Sequence, residues 1–206
     1  MNCRTLIAIL LAGSFLSALA GCGGGTGGGG VATVTGRVVD DGTQVGIANA
    51  TARVGNTASA QTGGDGRFTI SDAPTGSQML TVTAAGHDSS NLPVTLTAGQ
   101  NSVGLVYMAP TLNLGRGAIT GRLVLASDGT AVSDGTVQSG SASAVSRSDG
   151  SGQFTLYNVP VGSVQVNFYD PNSRASTIRF NVPVSSGQTT DLHDVMLSFG
   201  PPPPPL

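Results

Sequence analysis

Residues 31–198 state one pattern twice, and a chain that repeats at this spacing is expected to fold as two like units. Gly36-Arg37-Val38-Val39 returns as Gly121-Arg122-Leu123-Val124, 85 positions on. Phe68-Thr69-Ile70 returns as Phe154-Thr155-Leu156, and Ala73-Pro74-Thr75-Gly76 as Val159-Pro160-Val161-Gly162, both after 86 positions. Gly99-Gln100 returns as Gly187-Gln188 after 88. The drift falls between the motifs, where surface turns absorb insertions. Each unit is long enough to bury a core of its own, so the reading is tandem domains and not a solenoid.

Within a unit the hydrophobic period is two, the period of a strand. The first unit offers Val34, Gly36 and Val38; Ala50, Ala52 and Val54; Phe68 and Ile70; Leu80, Val82 and Ala84; Leu92, Val94 and Leu96; and Val103, Leu105 and Tyr107. The second offers Ile119 and Leu123; Phe154 and Leu156; Val164, Val166 and Phe168; Ile178, Phe180 and Val182; and Leu192 with Val195 and Leu197. Asp-Gly pairs punctuate the runs at Asp41-Gly42, Asp65-Gly66, Asp128-Gly129, Asp134-Gly135 and Asp149-Gly150. In such a pair Asp hydrogen-bonds the local backbone and Gly accepts positive φ. Composition points the same way. The chain contains no Lys and no Glu, so two good helix formers are missing, while Gly, Ser, Thr and Val abound. About seven short strands per unit indicate a β-sandwich. A unit of roughly 80 residues buries only somewhat over 60% of its unfolded surface, so each core should be modest.

The N-terminus has a different character. Arg4 precedes an apolar stretch, Leu6 to Ala20, which is short for a membrane span of roughly 20 residues. Leu19-Ala20-Gly21-Cys22 follows, and this resembles the lipobox of bacterial lipoproteins. The resemblance implies cleavage between Gly21 and Cys22, a diacylglyceryl group on the Cys22 thiol and acylation of the new amino terminus. Gly23, and not Asp, follows Cys22. By similarity to enterobacterial sorting this implies the outer membrane, in an organism that has one. Gly23 to Gly30 is a flexible tether with a mean reach of about 16 Å. Cys3 leaves with the leader and Cys22 takes the lipid, so the mature units have no thiol for a disulfide or a metal.

A second resemblance rests on ordered motifs. Gly36-x-Val38, Gly46-Ile47-Ala48-Asn49-Ala50, Thr62-x-x-Asp65-Gly66-Arg67-Phe68 and Pro74-x-Gly76 look like the carboxypeptidase regulatory-like domain. The second unit keeps Gly121-x-Leu123, Val132 to Val137, Ser148-Asp149-Gly150 through Phe154, and Pro160-x-Gly162. It departs by two extra residues between Gly150 and Phe154, a change confined to the turn. The resemblance implies a transthyretin-like or Ig-like seven-stranded sandwich, similar in fold to starch-binding and adhesin repeat domains. Modules of this kind accompany enzymes and do not perform their chemistry.

A search for chemistry yields little. The only histidines, His87 and His193, lack metal-motif company. His193 with Asp191 and Asp194 reads as a polar cluster at a strand end. No G-x-S-x-G elbow and no phosphate loop is present. Asp40-Asp41 and Ser148-Asp149 are the candidates for calcium, but EF-hand spacing is absent. The absence of Lys excludes Lys–Asn and Lys–Asp isopeptide cross-links. The formal net charge is -2 and there is no basic run, so no nucleic-acid partner is expected. Sugar stacking would fall to tyrosines, with Tyr157 and Tyr169 in one unit and Tyr107 in the other. Pro201 to Pro205 read as a polyproline II stub.

The expected organisation is a signal peptide at 1–21, lipidated Cys22 and linker at 22–30, a sandwich at 31–110, a linker at 111–116, a second sandwich at 117–198 and a Pro-rich tail at 199–206. The expected function is a non-enzymatic envelope lipoprotein, needing no cofactor, held to the membrane by its lipid and facing a protein or glycan ligand. The alternative is a carbohydrate-binding surface module. In the native host the mature N-terminus should carry acyl chains on Cys22, read by mass spectrometry, and Cys22→Ser should release the chain from the membrane fraction.

Overall fold

The structure, a computed structural model, describes residues 30–199. The leader, Cys22, the Gly-rich stretch up to Gly29 and the prolines 201–205 lie outside the described residues. The described residues contain no helix. They form fourteen strands: β1 (Val31–Asp40), β2 (Thr51–Val54), β3 (Ala58–Gln61), β4 (Arg67–Pro74), β5 (Gly76–Thr83), β6 (Ser90–Leu96), β7 (Gly99–Met108), β8 (Arg116–Leu125), β9 (Thr136–Ser139), β10 (Ala142–Val145), β11 (Gln153–Pro160), β12 (Gly162–Tyr169), β13 (Ser176–Val184) and β14 (Thr189–Leu197).

These strands build the same sandwich twice. In module 1 a three-stranded sheet, ordered β4-β1-β7, faces a four-stranded sheet, ordered β3-β2-β5-β6. In module 2 the sheets are β11-β8-β14 and β10-β9-β12-β13. In each, the first strand pairs antiparallel with the fourth and parallel with the seventh. The described residues are therefore all-β, with two seven-stranded sandwiches in tandem. β3 and β10 are four-residue strands of Ala, Ser, Gln and Val, and no run of large apolar residues announced them. The edge strands β6 and β13 each hold a proline, Pro93 and Pro183, which removes a donor from an edge that would otherwise invite another strand.

Each core lies between its two sheets. Val34, Val38, Ala50, Ala52, Val54, Phe68, Ile70, Leu80 and Val82 fill module 1. Ile119, Leu123, Phe154, Leu156, Val166, Phe168, Val182, Val195 and Leu197 fill module 2. The repeated glycine in the first strand has a steric cause. A Cβ on Gly36 would sit 2.7 Å from the Phe68 ring, and one on Gly121 would sit 3.0 Å from the Phe154 ring. The aromatic ring of the fourth strand lies over the glycine of the first. In module 2 Phe154 also meets Phe168 edge-on, with centroids 5.7 Å apart at 63°.

Bulges overturn the strict alternation read from the sequence. In β7 an extra residue sits between the partners of Thr35 and Arg37, with Gly104 at φ +69°, so Val106 and Met108 turn inward. Leu105, expected inside, faces out, and Leu92 on β6 is also exposed. In β13 an extra residue sits between the partners of Val164 and Val166, with Asn181 at φ +56°. Ile178 and Phe180, expected in the core with Val182, are exposed instead. A bulge shifts side-chain parity by one, and period-two reading fails there. Leu192, Val195 and Leu197, whose spacing already skips a beat, do pack on the core across a bulge at His193.

Phe154→Ala should destabilise the chain by about 3–5 kcal/mol, through lost burial and the cavity left behind. Phe180→Ala should stay within about 0.5 kcal/mol of the parent. Chemical denaturation of the two variants checks the contrast between two phenylalanines that the sequence assigns alike.

Candidate functional site: the seam between the modules

Asp40 ends β1 and Asp41 opens the turn that follows, which divides the work between two carboxylates. Asp40 Oδ1 accepts the amides of Gly42 (3.0 Å) and Thr43 (2.7 Å) and the Thr43 hydroxyl (3.0 Å). That local bonding is the role expected of Asp41 in an Asp-Gly turn. With Asp40 performing it, Asp41 is free to point away from its own turn, and it reaches module 2.

Asp41 is 7% exposed and meets three donors there. Arg147 donates through Nε (3.1 Å) and through Nη2, and the Tyr157 hydroxyl donates to Oδ2 at 2.8 Å. The same guanidinium lies over the Tyr107 ring, 4.1 Å from its centroid, and donates through Nη1 to Gln153 Oε1 at 3.2 Å. One Arg thus joins a carboxylate and an aromatic face of module 1 to its own module. A planar, always-charged guanidinium suits that double contact, and a Lys would not supply it. Beside this cluster the Val145 amide, on edge strand β10, donates to the Gly42 carbonyl at 2.8 Å. Gly42 is buried, and a Cβ there would stand 3.2 Å from the Tyr157 ring and 3.3 Å from the Thr155 carbonyl. The backbones approach closely because position 42 has no side chain.

Local backbone geometry aims these groups. Tyr157 sits at a bulge where β11 carries one residue more than β8, with Asn158 at φ +58°. Asn158 then holds the connection: its Oδ1 accepts the Asn113 amide at 2.8 Å and its carbonyl accepts Arg116 Nη1 at 2.7 Å. At the other end the Thr111 amide donates to the Gly86 carbonyl (2.9 Å) and the Thr111 hydroxyl to Asp88 (2.9 Å). The segment expected as a plain linker is tied to both modules. Burial raises the Tyr157 pKa well above that of a free phenol, and the neighbouring Asp41 charge adds to the shift. Burial also raises that of Tyr107, with Asp149 contributing.

The residues singled out from the sequence fall as follows. His87 Nε2 lies 2.9 Å from Asp40 Oδ2 and its Nδ1 lies 3.0 Å from the Ala85 carbonyl, so it braces the turn before the seam. His193, 87% exposed in its side chain, sits at the β14 bulge and not at a strand end, 3.2 Å from Asp191; Asp194 instead faces Arg122 at 3.7 Å. The two candidate calcium loops do approach each other, but Arg147 stands between them. Asp40 and Asp41 are already bonded, and hydrogen bonds from Ser151 hold the Asp149 carboxyl below its ordinary range. Among the described residues no three His, Cys, Asp or Glu side chains gather as a metal site. Tyr157 is in the seam, Tyr107 lies under Arg147, and Tyr169 is 44% exposed. The role of Arg147 has no sign in the sequence, since a single Arg beside Ser148-Asp149 gives no hint of a partner 106 positions away.

The seam is not repeated. The module 2 residues at the places of Asp41 and Tyr107 are Ala126 and Met196, and the module 1 residues at the places of Arg147 and Tyr157 are Gly63 and Ser71. The receiving half exists once and the giving half once, so this contact closes a pair and does not propagate.

Residues 33–108 match the carboxypeptidase regulatory-like domain. A search of curated proteins found no match. Among solved structures, a type II cohesin–X-dockerin complex from Acetivibrio cellulolyticus aligns at 24% identity and TM-score 0.35, over 38% of this chain and 58% of the other. The chain thus spans little more than half the length of that protein. The Bacillus anthracis TIE protein aligns at 14% identity and TM-score 0.35, over 82% of this chain and 34% of the other. The shaft pilin spaA from Lactobacillus rhamnosus GG aligns at 11% identity and TM-score 0.27, over 85% and 100%.

Arg147→Ala leaves Asp41 buried without its cation and should lower stability by about 2–4 kcal/mol in chemical denaturation. The Tyr157 pKa is raised on folding, so the unfolded chain ionises this phenol first. Its stabilising contribution is whole below the free-phenol value of 10.0 and is lost as pH rises above it. Tyr157→Phe should flatten the alkaline decline, as followed by thermal melts across that range.

Proposed function

We propose that the chain is a non-enzymatic envelope protein in which two sandwiches, locked at a fixed angle, act as a structural and interaction module. The observation that carries this is the seam. A carboxylate buried against an Arg and a Tyr of the other module holds two units as one body, while the strands on either side carry no convergent set of acid, base and nucleophile among the described residues. Stiffness serves a part that must present a surface at a set distance. On this reading both modules are of the carboxypeptidase regulatory-like kind, the second by the shared strand order and repeated motifs.

The anchor belongs to the same proposal. Acyl chains on Cys22 hold the chain at a membrane, since two or more chains anchor stably where one does not. The Gly-rich tether then lets the pair stand clear of the headgroups, in the outer membrane where the organism has one. A glycan-binding role is a second reading, favoured by the exposure of Tyr169.

In solution the two modules of the mature chain should share one rotational correlation time by NMR relaxation, and scattering should give a single narrow distribution of distances. Arg147→Ala combined with Tyr157→Phe should broaden it. Independent tumbling of the parent modules overturns the rigid pair. Turnover of a peptide, ester or polysaccharide, lost on a point substitution, overturns the non-enzymatic reading.

A further inference from the structure

The outer face of the β10-β9-β12-β13 sheet differs from its counterpart in module 1 in a way that names a ligand. Its register places Ser143, Gln138, Asn167 and Ile178 in one row across four strands. Thr136, Tyr169 and Ser176 form the next row. Gln165 lies on the far side, opposite the bulge that carries Phe180 and Asn181. Ser143, Gln138, Asn167, Ile178, Tyr169, Gln165, Phe180 and Asn181 are all exposed, with Phe180 at 65%. No Asp or Arg stands in these rows; Arg179, in register with Val166 on the edge strand, is itself exposed between Ile178 and Phe180.

The corresponding row of module 1 is Ser59, Arg53, Thr81 and Asn91. It holds a cation, which is bonded to the Asn56 carbonyl, and it presents no aromatic side chain. Its Thr81 and Asn91 side chains bond each other at 2.8 Å. Strand β6 pairs with β5 without a register shift, so the bulge that turns Phe180 outward belongs to module 2 alone.

We infer that this face of module 2 binds a neutral polysaccharide chain. The inference deepens the glycan reading above and rests on the chain being a binding module. A sugar chain offers apolar C–H faces and hydroxyls that both donate and accept. Tyr169 on β12, with Ile178 and Phe180 on β13, supplies apolar surface; Ser176, the register partner of Tyr169, is four positions from Phe180, roughly 13 Å along the strand. Gln138, Gln165 and Asn167 supply amides, which also donate and accept. Gln165 Nε2 donates to Asn167 Oδ1 at 2.8 Å, orienting the pair and leaving its remaining donors and acceptors to solvent. An apolar partner would bury these amides unbonded, at a cost of about 1–3 kcal/mol each. A cationic partner would find no counter-charge on this face, and an anionic one would find Arg179 alone, at the sheet edge. The span between the rings suits a chain of several sugars and not a single one.

The test is affinity electrophoresis of the full mature chain in native gels containing amylose, mixed-linkage β-glucan or galactomannan, with anionic polygalacturonate as control. At least one neutral polymer should retard the chain and polygalacturonate should not. Tyr169→Ala and Phe180→Ala should each weaken retardation about tenfold, the order expected from losing an aromatic contact. Arg53→Ala, on the other module's face, should leave it unchanged. Both aromatic side chains are exposed, and thermal melts confirm that the variants fold. The inference falls when no neutral polymer retards the parent, or when retardation survives both substitutions. It also falls when sedimentation shows a dimer that Phe180→Ala abolishes, since the face then meets a second copy. Release of reducing sugar by the bound chain overturns the non-catalytic reading and leaves the face assignment standing.

Discussion

A carboxylate withdrawn from water must find donors, and Asp41 finds all of its strong ones on the other module. Arg147 and Tyr157 meet it across the seam, and Arg147 also covers Tyr107. Neither module completes this cluster alone. Separating the modules would return a desolvated charge to solvent but would also strip Arg147 of both its ionic and its aromatic partner. The pair is therefore held by chemistry and not merely by the length of the connection. The buried Gly42 and the Val145–Gly42 backbone bond bring the two chains close enough for these side chains to meet. The brace of His87 on Asp40 lies one residue upstream, so the turn that aims Asp41 is itself tied down.

The bulges set which side chains are presented. Asn158, Asn181 and His193 all adopt positive φ, a conformation that Asn, Asp and His tolerate better than most residues. The one at Asn158 accompanies Tyr157 at the seam. The one at Asn181 accompanies Phe180 on the open sheet. The one at His193 restores the inward parity of Val195 and Leu197. In a sandwich whose strands otherwise alternate in and out, an extra residue is the simplest way to move one side chain to a new surface without disturbing the core.

Two modules of one architecture take different parts. The cores are built alike, down to the glycine under the aromatic ring at Gly36 and Phe68 and again at Gly121 and Phe154. The surfaces are not. Module 1 keeps Asp41 and Tyr107 where module 2 has Ala126 and Met196, and module 2 has the aromatic and amide face that module 1 lacks. Surface positions of a β-sandwich change with little effect on stability, so the two copies carry complementary halves of one joint and the second carries a separate face as well.

Much of the fold could be read from the chain itself. Repeated Gly-Arg, Phe-Thr and Pro-x-Gly motifs with period-two runs determined two seven-stranded sandwiches, because alternation and turn chemistry are local properties. The short strands β3 and β10 escaped, having no large apolar residue to mark them. The faces of Leu105, Ile178 and Phe180 escaped because a bulge changes parity without leaving a sign in a run of hydrophobic residues. The candidate site escaped almost entirely. Asp41 reads as one more turn aspartate and Arg147 as one more exposed base, and only packing brings residues 106 positions apart together. Local pattern decides which strands form and which residues fill the core. Which surfaces of two finished modules meet depends on side chains far apart in the chain, and that is decided in three dimensions alone.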